Sequence, residues 1–144
     1  MTAREKIQAI LEPIGDVEMI LLKGHLLLEE KLFAAVRAQL TYPEEHDKMR
    51  LSFYKNLQLL SCFMQISEPL DFETLADLNR LRNKLAHNVS FEAWKGELKA
   101  WACGVMAEEV SSIVSEDAFR DILVLALSVQ IEFFDGFSDM PKLA

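Results

Sequence analysis

The stretch from Val17 to Leu40 constrains the fold more than any other part of this chain. Asp16 stands directly before it as a helix-capping side chain, and Thr41-Tyr42-Pro43 stops it. At about 100° per residue, Glu18, Leu22, His25, Glu29, Leu32, Phe33 and Val36 fall on one stripe, while Ile20 and Leu27 lie on the back. A helix that is apolar around most of its circumference is either central to a bundle or buried against a second subunit. Within that setting His25 and Glu29, four residues apart, need hydrogen-bond partners: each other, or groups on a neighbouring helix.

The remaining sequence supplies helices to surround it. Pro13-Ile14-Gly15-Asp16 sets off a short N-terminal segment, and Pro43-Glu44-Glu45 begins a third helix running to about Ile66. Ser67-Glu68-Pro69 breaks the chain again. A fourth helix starts near Asp71 or Phe72 and ends at His87-Asn88, where Asn suits a left-handed cap. Residues 91–114 read as one or two helices with Gly96 and Gly104 as weak points. Ser115-Glu116-Asp117 opens a last helix that ends near Asp135-Gly136. No segment sustains the alternation of a half-buried strand. The expectation is an all-α helical bundle of five or six helices, and 144 residues suit a single domain over 1–144 with its own core.

Several function classes fall away. The formal charge of −8, from 23 acids against 15 bases, opposes any general coating of DNA or RNA, which rests on Lys and Arg displacing counterions from phosphates. Cys62 and Cys103 lie far apart in apolar helical stretches and read as small buried hydrophobes, with no metal-ligand spacing and no sign of an oxidising compartment. Met1-Thr2-Ala3-Arg4-Glu5-Lys6 has no apolar signal core. The Leu-rich residues 17–36 are interrupted by charges, and the apolar run 122–134 falls short of the roughly 20 residues a bilayer requires. The expectation is a cytoplasmic protein without a membrane partner. Glu44-Glu45-His46-Asp47 complements a helix dipole rather than a cation, and Phe91, Trp94 and Trp101 read as core or interface. No glycine-rich phosphate loop, nucleophile elbow or Cys/His metal cluster is present, so neither a metal nor another cofactor is expected.

Chemistry concentrates at the end of the fourth helix. Leu75, Leu78, Leu81 and Leu85 make its core stripe, and Asn83 and His87, four apart, share a face away from it. Arg82 lies roughly 140° from His87, so only the length of its side chain brings the guanidinium near the imidazole. Arg binds phosphate through a planar, permanently charged fork. His is suited to proton transfer near neutral pH, and Asn can donate to phosphate or orient the imidazole. Together Arg82, Asn83 and His87 are equipped for RNA cleavage that needs no metal. The same residue types near a helix end also serve as caps or solvated polar groups.

The segment from Leu78 to Asn88, and within it Leu81-Arg82-Asn83-Lys84-Leu85-Ala86-His87, resembles the L-R-N-x-x-A-H signature of the HEPN superfamily. Lys23-Gly24-His25-Leu26-Leu27-Leu28-Glu29-Glu30 is similar to the first long helix of some of these small proteins. The resemblance covers two helices and implies a HEPN-like all-α homodimer in which two copies of the motif face one cleft. It further implies a metal-independent endoribonuclease, a toxin or stress effector held by an antitoxin protein. Arg82 and His87 would then be the catalytic pair and Asn83 the supporting polar residue. Apart from the resemblance, Glu29 and His25 are expected to orient Arg82 across the contact between the two helices. The superfamily also contains non-catalytic binding or regulatory members, such as the mannitol operon repressor-like proteins, and that function is the alternative.

Overall fold

The computed structural model describes residues 1–63, 72–87, 90 and 92–137. Seven α-helices appear among them: α1 (Ala3–Leu11), α2 (Val17–Ala38), α3 (Pro43–Met49), α4 (Phe53–Phe63), α5 (Phe72–His87), α6 (Glu92–Met106) and α7 (Glu116–Phe137), with a single 3-10 turn at Val110–Ser112. The architecture is an all-α bundle, and no strand occurs among the described residues.

Local chemistry explains most of the boundaries. Thr2 and Glu5 form a capping box on α1, with Thr2 Oγ1 accepting from the Glu5 amide at 3.1 Å and Glu5 Oε2 accepting from the Thr2 amide at 2.8 Å. Asp16 Oδ1 accepts from the Glu18 amide at 2.9 Å, which fixes the start of α2. α6 ends at Ala107, a left-handed residue with φ 55°, where the Glu108 amide reaches back to the Cys103 carbonyl at 2.9 Å.

The helix count of five or six fails at one place. The helix expected from Pro43 to Ile66 is two helices, divided at Arg50, whose left-handed φ of 51° cannot continue a right-handed turn. Ser52 then restarts the chain, its hydroxyl accepting from the Lys55 amide at 3.2 Å. Gly96 and Gly104 do not interrupt α6; its irregularity sits at Trp94, with φ −129°. The expected break at Ser67-Glu68-Pro69 and the cap at Asn88 lie outside the described residues.

α2 is the central element, packing against every other helix except α6. Its buried face runs Val17, Ile20, Leu21, Gly24, His25, Leu28, Leu32, Ala35 and Val36. Glu18 and Leu22, placed on the inner stripe from sequence, lie at its half-buried margin, and Met19 and Leu26 face outward. α7 lies along the other side of the core with Phe119, Leu123, Leu127, Ile131 and Phe134 buried. Trp94 and Trp101 are core residues, and Trp101 Nε1 donates to the Thr74 carbonyl at 2.9 Å, tying α6 to α5. Phe91 lies outside the described residues. Cys103 is buried, but Cys62 is exposed, contrary to the sequence reading, because the apolar face of α4 is carried by Phe53, Leu57 and Leu60. Among the described residues no helix is long and apolar enough to cross a membrane.

α2 and α7 approach closely at Gly24. A methyl carbon added at Gly24 would stand 2.5 Å from Leu127 Cδ1 and 3.2 Å from its Cγ and Cδ2. Overpacking of this kind costs about 1–3 kcal/mol, against roughly 1 kcal/mol that Ala gains over Gly in a helix interior. Gly24→Ala is therefore expected to lower stability by about 1 kcal/mol in urea unfolding. Trimming the opposed side chain with Leu127→Val should return part of that loss. A Gly24→Ala protein as stable as wild type would show that the two helices separate without penalty.

Candidate functional site

α5 presents three different flanks. Leu75, Leu78 and Leu81 are buried, and this stripe seats the helix against α2, α4 and α6. Asn79 and Arg82, three residues apart, fall beside that stripe on the side of α2. Arg80, Asn83, Lys84 and His87 line an open groove of about 530 Å³ on the outer side, together with Tyr54 from α4.

The α2 flank is held by His25. Its ring is only 3% exposed and packs against Phe53, with 4.7 Å between ring centroids. His25 Nε2 donates to Asn79 Oδ1 at 3.1 Å. Burial, reinforced by the positive charge of Arg82 and only partly opposed by the bond to Asn79, pushes the His25 pKa down to about 4. The imidazole is neutral at physiological pH, so the 3.8 Å approach of its Nδ1 to Glu29 Oε2 is not an ion pair. Partner groups for His25 were expected on its own helix or a neighbour; the neighbouring helix provides the hydrogen bond.

Arg82 is half-buried and its Nη1 donates to Asn83 Oδ1 at 3.3 Å. The two side chains therefore converge at the groove edge although they are adjacent in sequence. Among the described residues Arg82 forms no ion pair with Glu29 and no hydrogen bond with His87. His87 is exposed, lines the groove and makes no hydrogen bond or ion pair to a described residue. Of the five residues singled out from sequence, Arg82, Asn83 and His87 gather at one end of α5. His25 lies behind Arg82 in the interior, and Glu29 stands beside His25 at the surface.

The α6 flank carries a small charge network. Arg80 Nη1 donates to Glu97 Oε2 at 3.2 Å, Lys84 Nζ lies 3.8 Å from Glu97 Oε1, and Arg80 Nε lies 3.6 Å from Asp77. Two of the three cations on this part of α5 are thus already engaged with acids. Elsewhere, His46 is buried and bonded to Asn56 at 2.7 Å, Asp47 pairs with Arg37, and Glu45 with Lys48. Among the described residues no three Asp, Glu, His or Cys side chains gather as a metal-binding set.

Asn79, Tyr54 and Glu97 were not assigned roles from sequence. Asn79 carried a usable signal, since it lies three residues before Arg82 on the same helix. Tyr54 and Glu97 carried none, because the place of Tyr54 in the groove and the contact of Glu97 with Arg80 and Lys84 depend on how α4 and α6 dock on α5. Compared with known proteins, the chain matches no family model, no curated protein and no solved structure.

A histidine held neutral in the fold makes stability sensitive to acid. Unfolded His25 takes up a proton near pH 6.5, whereas the folded ring resists until about 4. The stability is therefore complete above pH 6.5 and declines as pH falls to 4, by about 3 kcal/mol in total from this group. His25→Gln should flatten the decline between those two pH values in urea unfolding. An unchanged slope would place the acid sensitivity in other groups.

Proposed function

We propose that the α5 groove is the site of a HEPN-like endoribonuclease that needs no metal and works as a homodimer. What supports this reading above all is that Asn83 and His87 open onto the same groove with the Arg82 guanidinium resting on Asn83. His87 has no described partner to displace before it meets a substrate. In the proposed reaction Arg82 binds the scissile phosphate and stabilises the charge that builds on it. His87 takes the proton of the ribose 2′-hydroxyl, or gives one to the departing oxygen. The 2′-oxygen forms a bond to phosphorus and the bond from phosphorus to the 5′-oxygen breaks. The products are a 2′,3′-cyclic phosphate and a 5′-hydroxyl end. One imidazole cannot be base and acid in the same step, and a second copy of the chain facing the first supplies the other. A toxin or stress effector restrained by an antitoxin protein is the role this activity would fit.

A second reading draws on a separate observation. Arg80 and Lys84 are both engaged with Glu97, which weakens the positive field of the groove in a chain that is already acidic. A non-catalytic HEPN-like module that binds a protein partner or regulates transcription would not need that field.

The two separate in a cleavage assay on purified protein in excess EDTA. The nuclease reading expects cyclic-phosphate ends from wild type and a loss of about a hundredfold or more in His87→Ala and in Arg82→Ala at matched dimer content. Asn83→Ala should lose less, since it steadies Arg82 rather than moving a proton. Intact RNA across several sequences with the wild-type protein would remove the nuclease reading and leave the binding module.

A further inference from the structure

The groove has a feature that phosphate chemistry does not use. Tyr54, in the first turn of α4, lines it and is 40% exposed. Phe72, at the first residue of α5, braces the ring edge-on, with centroids 5.5 Å apart and planes at 69°. A T-shaped contact occupies at most one face of the Tyr54 ring, and the ring remains 40% exposed. Asn79 lines the same groove, and its carbonyl oxygen is committed to His25, so its amide NH₂ is the end left to donate. An aromatic face next to a fixed amide donor is the pairing that holds an unstacked nucleobase: the face takes the base plane and the amide meets an acceptor on its edge.

Position along the groove determines which base this would be. Phe72 marks the N-terminal end of α5 and His87 its C-terminal end. From Ala76, the first α5 residue in the groove, to His87 the helix rises about 16 Å. A base on Tyr54 therefore belongs to a nucleotide that flanks the scissile phosphate, not to the one being cut. Arg80 and Lys84 lie between the two ends.

We propose that Tyr54, in contact with Phe72 and in one groove with Asn79, is a stacking position for an unpaired base of single-stranded RNA, lying upstream or downstream of the His87 end of the groove. The proposal rests on the nucleic-acid reading of that groove, but not on cleavage. Tyr54 is a binding and specificity residue, and duplex RNA, whose bases are already stacked on one another, cannot use it.

Fluorescence anisotropy with labelled oligoribonucleotides carrying 2′-O-methyl groups throughout tests this, because such strands lack the nucleophile and bind without being cut. Tyr54→Ala should weaken binding roughly five- to hundredfold, as removal of a stacking aromatic does. Tyr54→Phe should stay within about twofold of wild type, and Tyr54→Leu should fall between the two. The slope of affinity against salt should not change, because that slope counts phosphate contacts. An oligonucleotide of the same length with abasic sites should bind wild type as weakly as the normal strand binds Tyr54→Ala, and should not respond to the substitution. Wild-type and Tyr54→Ala proteins binding the normal strand equally would overturn the stacking position while leaving the groove a nucleic-acid site. No binding of any strand by wild type would overturn the nucleic-acid reading itself.

Discussion

His25 enters the interior with one ring proton to place, and the position of α5 follows from where that proton goes. A buried donor without an acceptor costs about 1–3 kcal/mol. Asn79 is the acceptor, and the register of α5 against α2 that satisfies it is the register that buries Leu75, Leu78 and Leu81. Shifting α5 by one turn would set Leu75 or Asn83 opposite the imidazole. The first leaves the ring proton without a partner, and the second draws a groove residue inward. Polar pairing and apolar packing therefore agree on one arrangement, and that arrangement carries Arg82, Asn83 and His87 to the surface together.

Each flank of α5 is fixed by different physics. Toward α2 a neutral hydrogen bond is shielded from water by Phe53, and the nearby guanidinium of Arg82 reinforces the neutrality of His25. Toward α6 the restraint is ionic and partly solvated, through Glu97, with the Trp101 indole bonded to the Thr74 backbone nearer the start of the helix. Among the described residues the outer flank has no such tie at Asn83 and His87 beyond the reach of Arg82. A helix held on two sides and open on the third is a stiff platform, which any reaction or recognition at its surface requires.

Much of this could be read in the sequence, and the failures have identifiable causes. The all-α class follows from periodicity, and a helix too apolar to face water had to be central or covered by a second subunit; its packing against five helices makes it central. The cap at Asp16 and the start of α5 followed from local residue chemistry. The division between α3 and α4 was missed because Arg50 adopts a left-handed backbone that favours Gly or Asn, so the Ser52 cap behind it was not recognised. Cys62 was placed inside because its neighbours are apolar, yet helical spacing turns it outward. Arg82, Asn83 and His87 were found as a motif on one helix. Their surroundings were not, since Tyr54 and Glu97 arrive from helices whose docking no local pattern encodes.

Glu97 seated between Arg80 and Lys84 has a consequence for how the groove exchanges whatever it holds. A carboxylate already resting on two cations is a tethered rival to any anion that arrives. An incoming polyanion must swap places with it, and the rival stays within reach to reclaim its seat. Such a surface gives up strength of grip for speed of departure. It suits brief, repeated encounters better than one lasting hold.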